Sequence, residues 1–479
     1  MERKLIRSFP EPSVIVLSEL KLHNNLKKTK QYYVFFARKL FFNHVQHTRA
    51  VLSLGQLKVL HINTYEGNGG AGRACLRLSD ALNTAGVQSE VMVYFQFNES
   101  TKTKTFSKSP LQKAIAIFNI LSERYLSKFF SKALKTPFSL QWFGRSIVRN
   151  RILKEADIIH LHWINHGFLT PKLLAQIDDL DKPIVWTFHD SNAFTGGCHV
   201  RYACENYHQQ CGHCPLLKFS GENDFSHKNW LRKKKAYSNL NYHVVAPSNW
   251  MAESVRISSL MGARPIDVIP NTIETTIFKP YVKTEAKKIL KIAPEKFVLM
   301  SGFMPSKNDK HKGTSYLVEA LNSFSKRPGI RKEDIELVIF GNKENAEMPE
   351  FPFKTTFLGT ISNDEHLAKC YSAADAFLTP SLEDNLPNTV MESLSCATPV
   401  IAFKTGGIPD MVKHLENGYL ADYQSSEDLA NGMEWLYLHK NQEEIQKEAR
   451  RTILTQFSPA VIAEKHLLLY QSLINLQPR

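Results

Sequence analysis

No stretch of this chain approaches the roughly 18–20 uninterrupted apolar residues of a membrane-crossing helix, so a helical span is not expected. An export signal is missing as well: the apolar run Val14–Leu17 is short and has Lys and Arg around it, which predicts a protein kept in the cytoplasm. Cysteine is sparse and odd in number, seven in 479 residues, which excludes a disulfide framework and points to thiols or a metal site. Acidic residues are scarce in two places. Residues 1–57 hold three against ten Lys/Arg, and residues 101–154 hold one, Glu123, against twelve. The formal net charge of +14 is therefore regional, with the remainder of the chain at −4, and nucleic acid is not the expected partner.

What is present is enough apolar sequence, 43%, for a core in each of two domains. Residues 1–56 form a basic extension with an aromatic patch, Tyr32 to Phe42. From Leu57 the pattern changes to strand, glycine-rich turn and helix: Val59–Ile62, then Gly67, Gly69, Gly70 and Gly72, then Ala74, Leu78, Ala81 and Leu82 on one helical face. Further strands are expected at Ser89–Tyr94, Ile158–Leu161, Pro183–Phe188, Val244–Ala246 and Asp267–Asn271. A second series begins near Phe297 and continues at Glu336–Phe340, Thr356–Leu358, Ala376–Thr379 and Pro399–Ala402. Alternation of this kind predicts an α/β chain of two Rossmann-like, doubly wound parallel-sheet domains, at 57–275 and 276–465, with a cleft between them and a tail at 466–479.

The stretch from Pro380 to Glu392 carries the chemistry. A strand ends at Pro380, a loop holds Glu383, Asp384 and Asn385, and a helix is expected to begin at Pro387. A helix N-terminus at the carboxyl edge of a parallel sheet attracts anions, and carboxylates beside it accept hydrogen bonds from sugar and ribose hydroxyls. A lone Glu would ordinarily decorate a surface helix; the strand, loop and helix around Glu392 argue otherwise. At these residues the chain resembles family 4 of the GT-B glycosyltransferases, whose hallmark is two acidic residues separated by seven positions, here Asp384 and Glu392, ahead of a Cys-x-x-Pro-Val strand. Asp384 stands where the family usually has Glu. The resemblance spans roughly residues 57 to 465. It implies that Glu392 binds ribose, that Asp384 contacts the transferred sugar, and that Asn385, Leu386 and Gly407 belong to the donor site. Lys312 matches the family lysine at the donor diphosphate, and Gly69 and Gly70 match the loop that approaches the donor from the opposite wall. Phe303 occupies the place of a customary arginine, with Lys307 or Lys310 as the alternative substitutes.

His189 follows a strand end, which aims it into the cleft, and it resembles the family histidine that contacts the donor sugar; His160 and His162 alternate along a strand and are expected to pack. Cys198, Cys204, Cys211 and Cys214 place four thiols within seventeen positions, one pair as a CxxC, which suits a structural zinc. The competing reading is four reduced cysteines in an irregular loop. Around them the sequence resembles a subgroup of bacterial exopolysaccharide and colanic-acid-type transferases. Leu111, Ala114, Phe118, Leu121, Tyr125 and Phe129 recur at helical spacing beside Arg124, Lys128 and Lys132, the pattern of a helix at an anionic membrane surface or of an ordinary helix with a solvated basic face.

The resemblance implies a retaining hexosyltransferase with no catalytic metal, and the expected reaction moves a hexose from a UDP- or GDP-sugar to a glycan hydroxyl carried on a polyprenyl diphosphate at the inner face of the plasma membrane. The rivals are another GT-B enzyme, such as a sugar-nucleotide epimerase, and a zinc-containing nucleic-acid-binding protein.

Overall fold

The computed structural model describes residues 56–67, 69–97, 101–132, 138–302, 312–341, 349–439 and 442–476. The aromatic patch at 32–42, the rest of the extension to residue 55, and Phe303, Lys307 and Lys310 lie outside the described residues.

Two all-parallel sheets form the frame. The first contains β1 (Lys58–Tyr65), β2 (Gln88–Phe95), β3 (Lys104–Thr105), β4 (Ile158–Leu161), β5 (Ile184–Thr187), β6 (Tyr242–Ala246) and β7 (Ile266–Val268), in the order β3-β2-β1-β4-β5-β6-β7. The second contains β8 (Phe297–Gly302), β9 (Ile335–Phe340), β10 (Lys354–Gly359), β11 (Ala376–Thr379), β12 (Val400–Phe403) and β13 (Gly418–Ala421), in the order β10-β9-β8-β11-β12-β13. Strand order reverses beside β1 and β4 in one sheet and beside β8 and β11 in the other, the points where a doubly wound sheet opens a crevice at its carboxyl edge. The central strands carry runs such as Ile158–Leu161 and Ala376–Thr379, buried at every residue, because helices cover both faces.

Two elements depart from expectation. In sequence, Asn417-Gly418-Tyr419-Leu420 resembles the family's Asn-Gly-x-Leu turn, yet Gly418–Ala421 is a strand paired to β12 from Val400 to Phe403. The turn ends at Asn417, whose amide caps Lys413 N–H at 2.7 Å and donates to the Met411 carbonyl at 3.0 Å. A boundary at 465/466 also fails, since it falls inside the helix Pro459–Leu476. Ile462, Ala463, Leu469 and Tyr470 of that helix are buried with Leu57, Val59, Leu78 and Leu82 of the first sheet and its first helix. The chain's last described element therefore belongs to the core of the first domain.

The helix Pro110–Phe130 forms with a full capping box, Ser109 and Gln112 satisfying each other's backbone. Its buried residues are Ala116, Asn119, Ile120 and Glu123. The apolar row expected along it faces solvent instead: Leu111, Phe118, Leu121 and Tyr125 are 71%, 63%, 57% and 72% exposed.

Four histidines sit in the core beneath β1 and β4. His61 Nδ1 meets His162 Nε2 at 2.9 Å, and His160 bonds the Tyr470 hydroxyl and Thr187 Oγ1, each at 2.7 Å. His466 bonds the Ile462 carbonyl at 3.0 Å. Desolvation lowers His61 to about 3 and His466 to about 4 and holds His160 and His162 well below 6.5, with neighbouring histidines adding to the effect at His61, His160 and His162. In the unfolded chain each takes a proton near pH 6.5, so the unfolded state binds more protons between about 6.5 and about 4, and stability falls as pH falls through that window. The melting temperature should drop progressively from pH 7 to pH 5. A melting temperature that stays level over that range would contradict the assignment of these four as neutral core groups.

Candidate active site

Strand β11 ends at Thr379 and delivers the loop Pro380–Leu386 to the carboxyl edge of the second sheet, ahead of the helix Asn388–Ser395 with Pro387 at its N-cap. Glycine fixes the position of this loop from two sides. Gly313 has φ +65°, and a Cβ there would stand 1.9 Å from the Pro380 carbonyl oxygen. Gly407 would place a Cβ 1.8 Å from the Asn385 carbonyl oxygen, and its N–H donates to the Asp384 carbonyl at 3.1 Å. The close approach at Gly313 brings the adjacent Lys312 Nζ to 3.0 Å from Asp384 Oδ2. Lys312 and Asp384, expected at the diphosphate and the sugar, thus share one wall.

The opposite wall comes from the carboxyl edge of the first sheet. His189 follows β5, and its Nε2 meets His162 Nδ1 at 3.0 Å, which extends the core histidine chain to the surface of the cleft. Desolvation lowers His189 to about 4, so the ring is neutral at physiological pH even though Asp190 opposes the shift. Asp190 accepts from Trp163 Nε1 at 2.6 Å and from the Asn192 N–H at 2.8 Å, and meets His199 Nδ1 at 2.5 Å. Desolvation pulls its carboxyl upward, but pairing with His199 and these hydrogen bonds outweigh it and hold Asp190 below the ordinary carboxylate range.

The two walls meet through the loop after β11. Asn385 Nδ2 donates to the carbonyls of Phe188 at 2.9 Å and His189 at 3.2 Å, while its Oδ1 accepts from Ser248 Oγ at 2.8 Å. Glu383 accepts from the N–H groups of Arg201 and Tyr202 at 3.0 and 2.6 Å. Between the walls lies a space of about 160 Å³ lined by His189, Asp190, His199, Lys312, Glu383 and Asp384, among others. Gly69, with φ +85°, caps the helix Gly70–Thr84, and the Gly70 carbonyl receives Asn388 Nδ2 at 3.4 Å across the same gap.

Glu392 and Leu386 stand apart from that space. Leu386 is buried in the core of the second domain. Glu392, on the helix Asn388–Ser395, is 2% exposed and pairs with Arg77 at 3.0 Å, an arginine 4% exposed that arrives from the helix Gly70–Thr84 of the first domain. Tyr371 completes its contacts at 3.4 Å. Desolvation raises the Glu392 carboxyl, with Arg77 opposing. In this arrangement the carboxylate expected at the ribose is engaged by the facing domain. Arg77, Asp190, His199 and Glu383 were not among the expected site residues. Glu383, in the same acidic loop, and Asp190, beside His189 after β5, carry a local signal in the sequence; Arg77 and His199 acquire a role through the facing domain and the cysteine loop.

Among the described residues, the three metal-ligating side chains whose donor atoms lie within 4.8 Å of one another are His61, His160 and His162, all buried. His160 spends both ring nitrogens on Tyr470 and Thr187 and His162 spends both on His61 and His189, while His61 Nε2 has no partner.

The Arg77–Glu392 pair is buried, so removal of its cation strands a carboxylate in the interior. Arg77→Ala should destabilise the protein by about 3–5 kcal/mol. Arg73→Ala, which removes a partly exposed pair to Asp364 at 3.6 Å, should cost less than about 1 kcal/mol. Urea unfolding of both variants measures the difference, and equal costs would contradict the buried pair.

Two family descriptions match the chain: "Glycosyltransferase Family 4" over residues 68–277 and "Glycosyl transferases group 1" over residues 282–452. A D-inositol 3-phosphate glycosyltransferase of Pseudarthrobacter chlorophenolicus is 29% identical over 205 residues, 40% of this chain and 46% of that one. A sulfoquinovosyl transferase of Arabidopsis thaliana is 32% identical over 126 residues, 26% of this chain and 22% of that one. The chain spans about half the length of the first of these relatives and less of the second. Among solved structures, HepE of Anabaena in complex with UDP-glucose superposes with a TM-score of 0.56 at 17% identity, covering 87% of this chain and 100% of that one. The sucrose-phosphate synthase of Thermosynechococcus elongatus gives 0.58 at 17% identity over 88% and 100%. These superpositions show a shared fold. With both family descriptions in sequence order, one on each sheet, the chain belongs to family 4, group 1, of the GT-B glycosyltransferases.

Proposed function

We propose that the chain is a retaining glycosyltransferase that moves a hexose from a UDP- or GDP-sugar to a glycan hydroxyl, lipid-linked and held at a membrane surface, in cell-surface or exopolysaccharide synthesis. The observation that carries this reading is the pairing of Lys312 with Asp384 on one wall of a cleft that has neutral His189 on the other. In the transfer, the bond from the anomeric carbon to the diphosphate breaks, the diphosphate keeps the electron pair, and the acceptor hydroxyl bonds the carbon and yields its proton to the departing diphosphate. Lys312 and the N-terminus of the helix Asn388–Ser395 would stabilise the charge gathering on that leaving group. His189, uncharged, can donate or accept a hydrogen bond with a sugar hydroxyl, and Asp384 can accept one. HepE, which shares the fold, binds UDP-glucose, and this supports a UDP-sugar as the first donor to try.

The outward face of the helix Pro110–Phe130 supports the location. Its exposed Leu111, Phe118, Leu121 and Tyr125 lie beside Lys113, Arg124 and Lys128, the composition of a helix that rests on anionic lipid. An epimerase on the same fold would release an isomer without an acceptor, so acceptor dependence separates the two readings.

Among UDP, GDP, ADP and CDP, one nucleotide should raise the melting temperature by several degrees at about 100 times its Kd, since that occupancy adds about 2.7 kcal/mol. The shift should shrink in Lys312→Ala. Absence of a shift with every nucleotide, in folded protein, would contradict the donor site. In flotation with vesicles, the wild type should bind phosphatidylglycerol more than phosphatidylcholine, and Phe118→Asp with Leu121→Asp should lose at least half of that binding; identical flotation of the double variant would remove the helix from the membrane contact.

A further inference from the structure

Four of the seven cysteines, none of which enters the proposed transfer, are gathered in one place. Cys198, Cys204, Cys211 and Cys214 all line a single cavity of about 20 Å³, together with Arg201 and Tyr207 among other residues, and none is in a disulfide. That volume is on the scale of one water or one small ion. The backbone is shaped around the sulfurs. Cys211, Gly212 and His213 are successive residues with positive φ, at 56°, 101° and 44°. For two of them this conformation is costly, and it folds the CxxC back on itself. The Gly196 N–H donates to Cys211 Sγ at 3.2 Å, and Asp224 receives the Cys214 N–H at 2.8 Å, pinning both ends of that turn. No three of the sulfurs fall within 4.8 Å of one another, so they surround the cavity without closing across it.

Charge supplies the second, independent observation. Lys233 is completely buried, and its ammonium is held by neutral oxygens: the Asn192 carbonyl, the Thr195 carbonyl at 3.1 Å and Asn192 Oδ1 at 3.3 Å. Arg201 is 8% exposed. It donates to hydroxyls of Ser191 at 2.9 Å, Ser254 at 2.8 Å and Tyr207, and it lies over the rings of Tyr207 and Trp250 at 4.7 and 4.6 Å. Among the described residues neither cation forms an ion pair with a carboxylate. The Asp190 carboxylate acts on Lys233 without pairing with it, and burial of both cations carries a desolvation cost that hydrogen bonds to neutral groups only partly offset.

We propose that Cys198, Cys204, Cys211 and Cys214 bind one structural zinc ion whose thiolate shell is the countercharge for Arg201 and Lys233. On binding, each thiol gives up its proton to solvent. A zinc ion with four thiolates carries a net charge of −2, which two cations balance. Zn–S bonds of about 2.3 Å set neighbouring sulfurs roughly 3.8 Å apart, so binding contracts the ring of cysteines around the cavity. The ion would secure the segment from Asp190 to Tyr202, which forms one wall of the cleft and supplies the N–H groups that hold Glu383. Four protein sulfurs leave no open position, so the ion is structural and takes no part in the transfer.

The test is elemental analysis of the full chain, purified without chelator from zinc-containing medium and desalted. About one zinc per chain is expected, falling to near zero in Cys204→Ser and in Cys211→Ser. If those variants do not fold, cobalt substitution of the wild type serves instead, with the intense absorption of tetrahedral cobalt–thiolate as the expected signature. Folded wild type with no bound metal, or with no such absorption when loaded with cobalt, would overturn the proposal. So would fewer than seven free thiols in denaturant without reductant, since disulfides would then account for the cluster.

Discussion

The cleft depends on one side-chain amide. Asn385 follows directly on the acidic pair Glu383 and Asp384, and it spends its donors on two carbonyls at the end of β5 and its acceptor on Ser248. A half-buried amide left without these partners would cost about 1–3 kcal/mol for each unmet group. Meeting them requires the carboxyl edges of the two sheets to face each other. Once they do, Lys312 and Asp384 stand opposite His189, and Glu383 reaches the backbone of the cysteine loop. The glycines around the loop serve the same end, because any side chain at Gly313 or Gly407 would push the loop off its seat.

Charge burial is the second constraint. Glu392 and Arg77 come from different domains and neutralise each other where neither could remain alone. The pair ties the helix Gly70–Thr84 of the first domain to the helix Asn388–Ser395 of the second. The histidine chain from His61 through His162 to His189 works in the opposite sense: it is held neutral by the core, and it fixes which ring nitrogen of His189 is engaged by the protein.

Much of the fold was legible because buried parallel strands write themselves as short apolar runs. Ile158–Leu161 and Ala376–Thr379 fall where those runs place them. The strand at Gly418–Ala421 was not legible, since an Asn-Gly pair signals a turn and only pairing with β12 converts the residues after it. The helix Pro459–Leu476 shows no break at its crossing, so its return to the first sheet is a tertiary fact. At the site, Lys312, Asp384, Asn385 and His189 were readable from strand ends and from the family motif, and they share one cleft. Leu386 and Glu392 were readable in sequence position but not in burial. Arg77 lies on a helix whose pattern marks its neighbours Ala74 and Leu78 as core, and its partner is 315 residues away, beyond the reach of any local pattern. The exposed row on the helix Pro110–Phe130 shows the converse limit: periodicity identifies an apolar face but not what covers it.

The proposed roles of Lys312 at the leaving diphosphate and of Asp384 at the sugar rest on a cleft shared by both sheets. The most direct measurement is transfer of radiolabelled hexose from the nucleotide sugar to membrane lipid extract, comparing wild type with Lys312→Ala at saturating donor. Incorporation by the wild type is expected, with a fall of about 100-fold or more in the variant, the loss that follows when one group that stabilises developing charge is removed. Equal incorporation by the two proteins would contradict the role of Lys312.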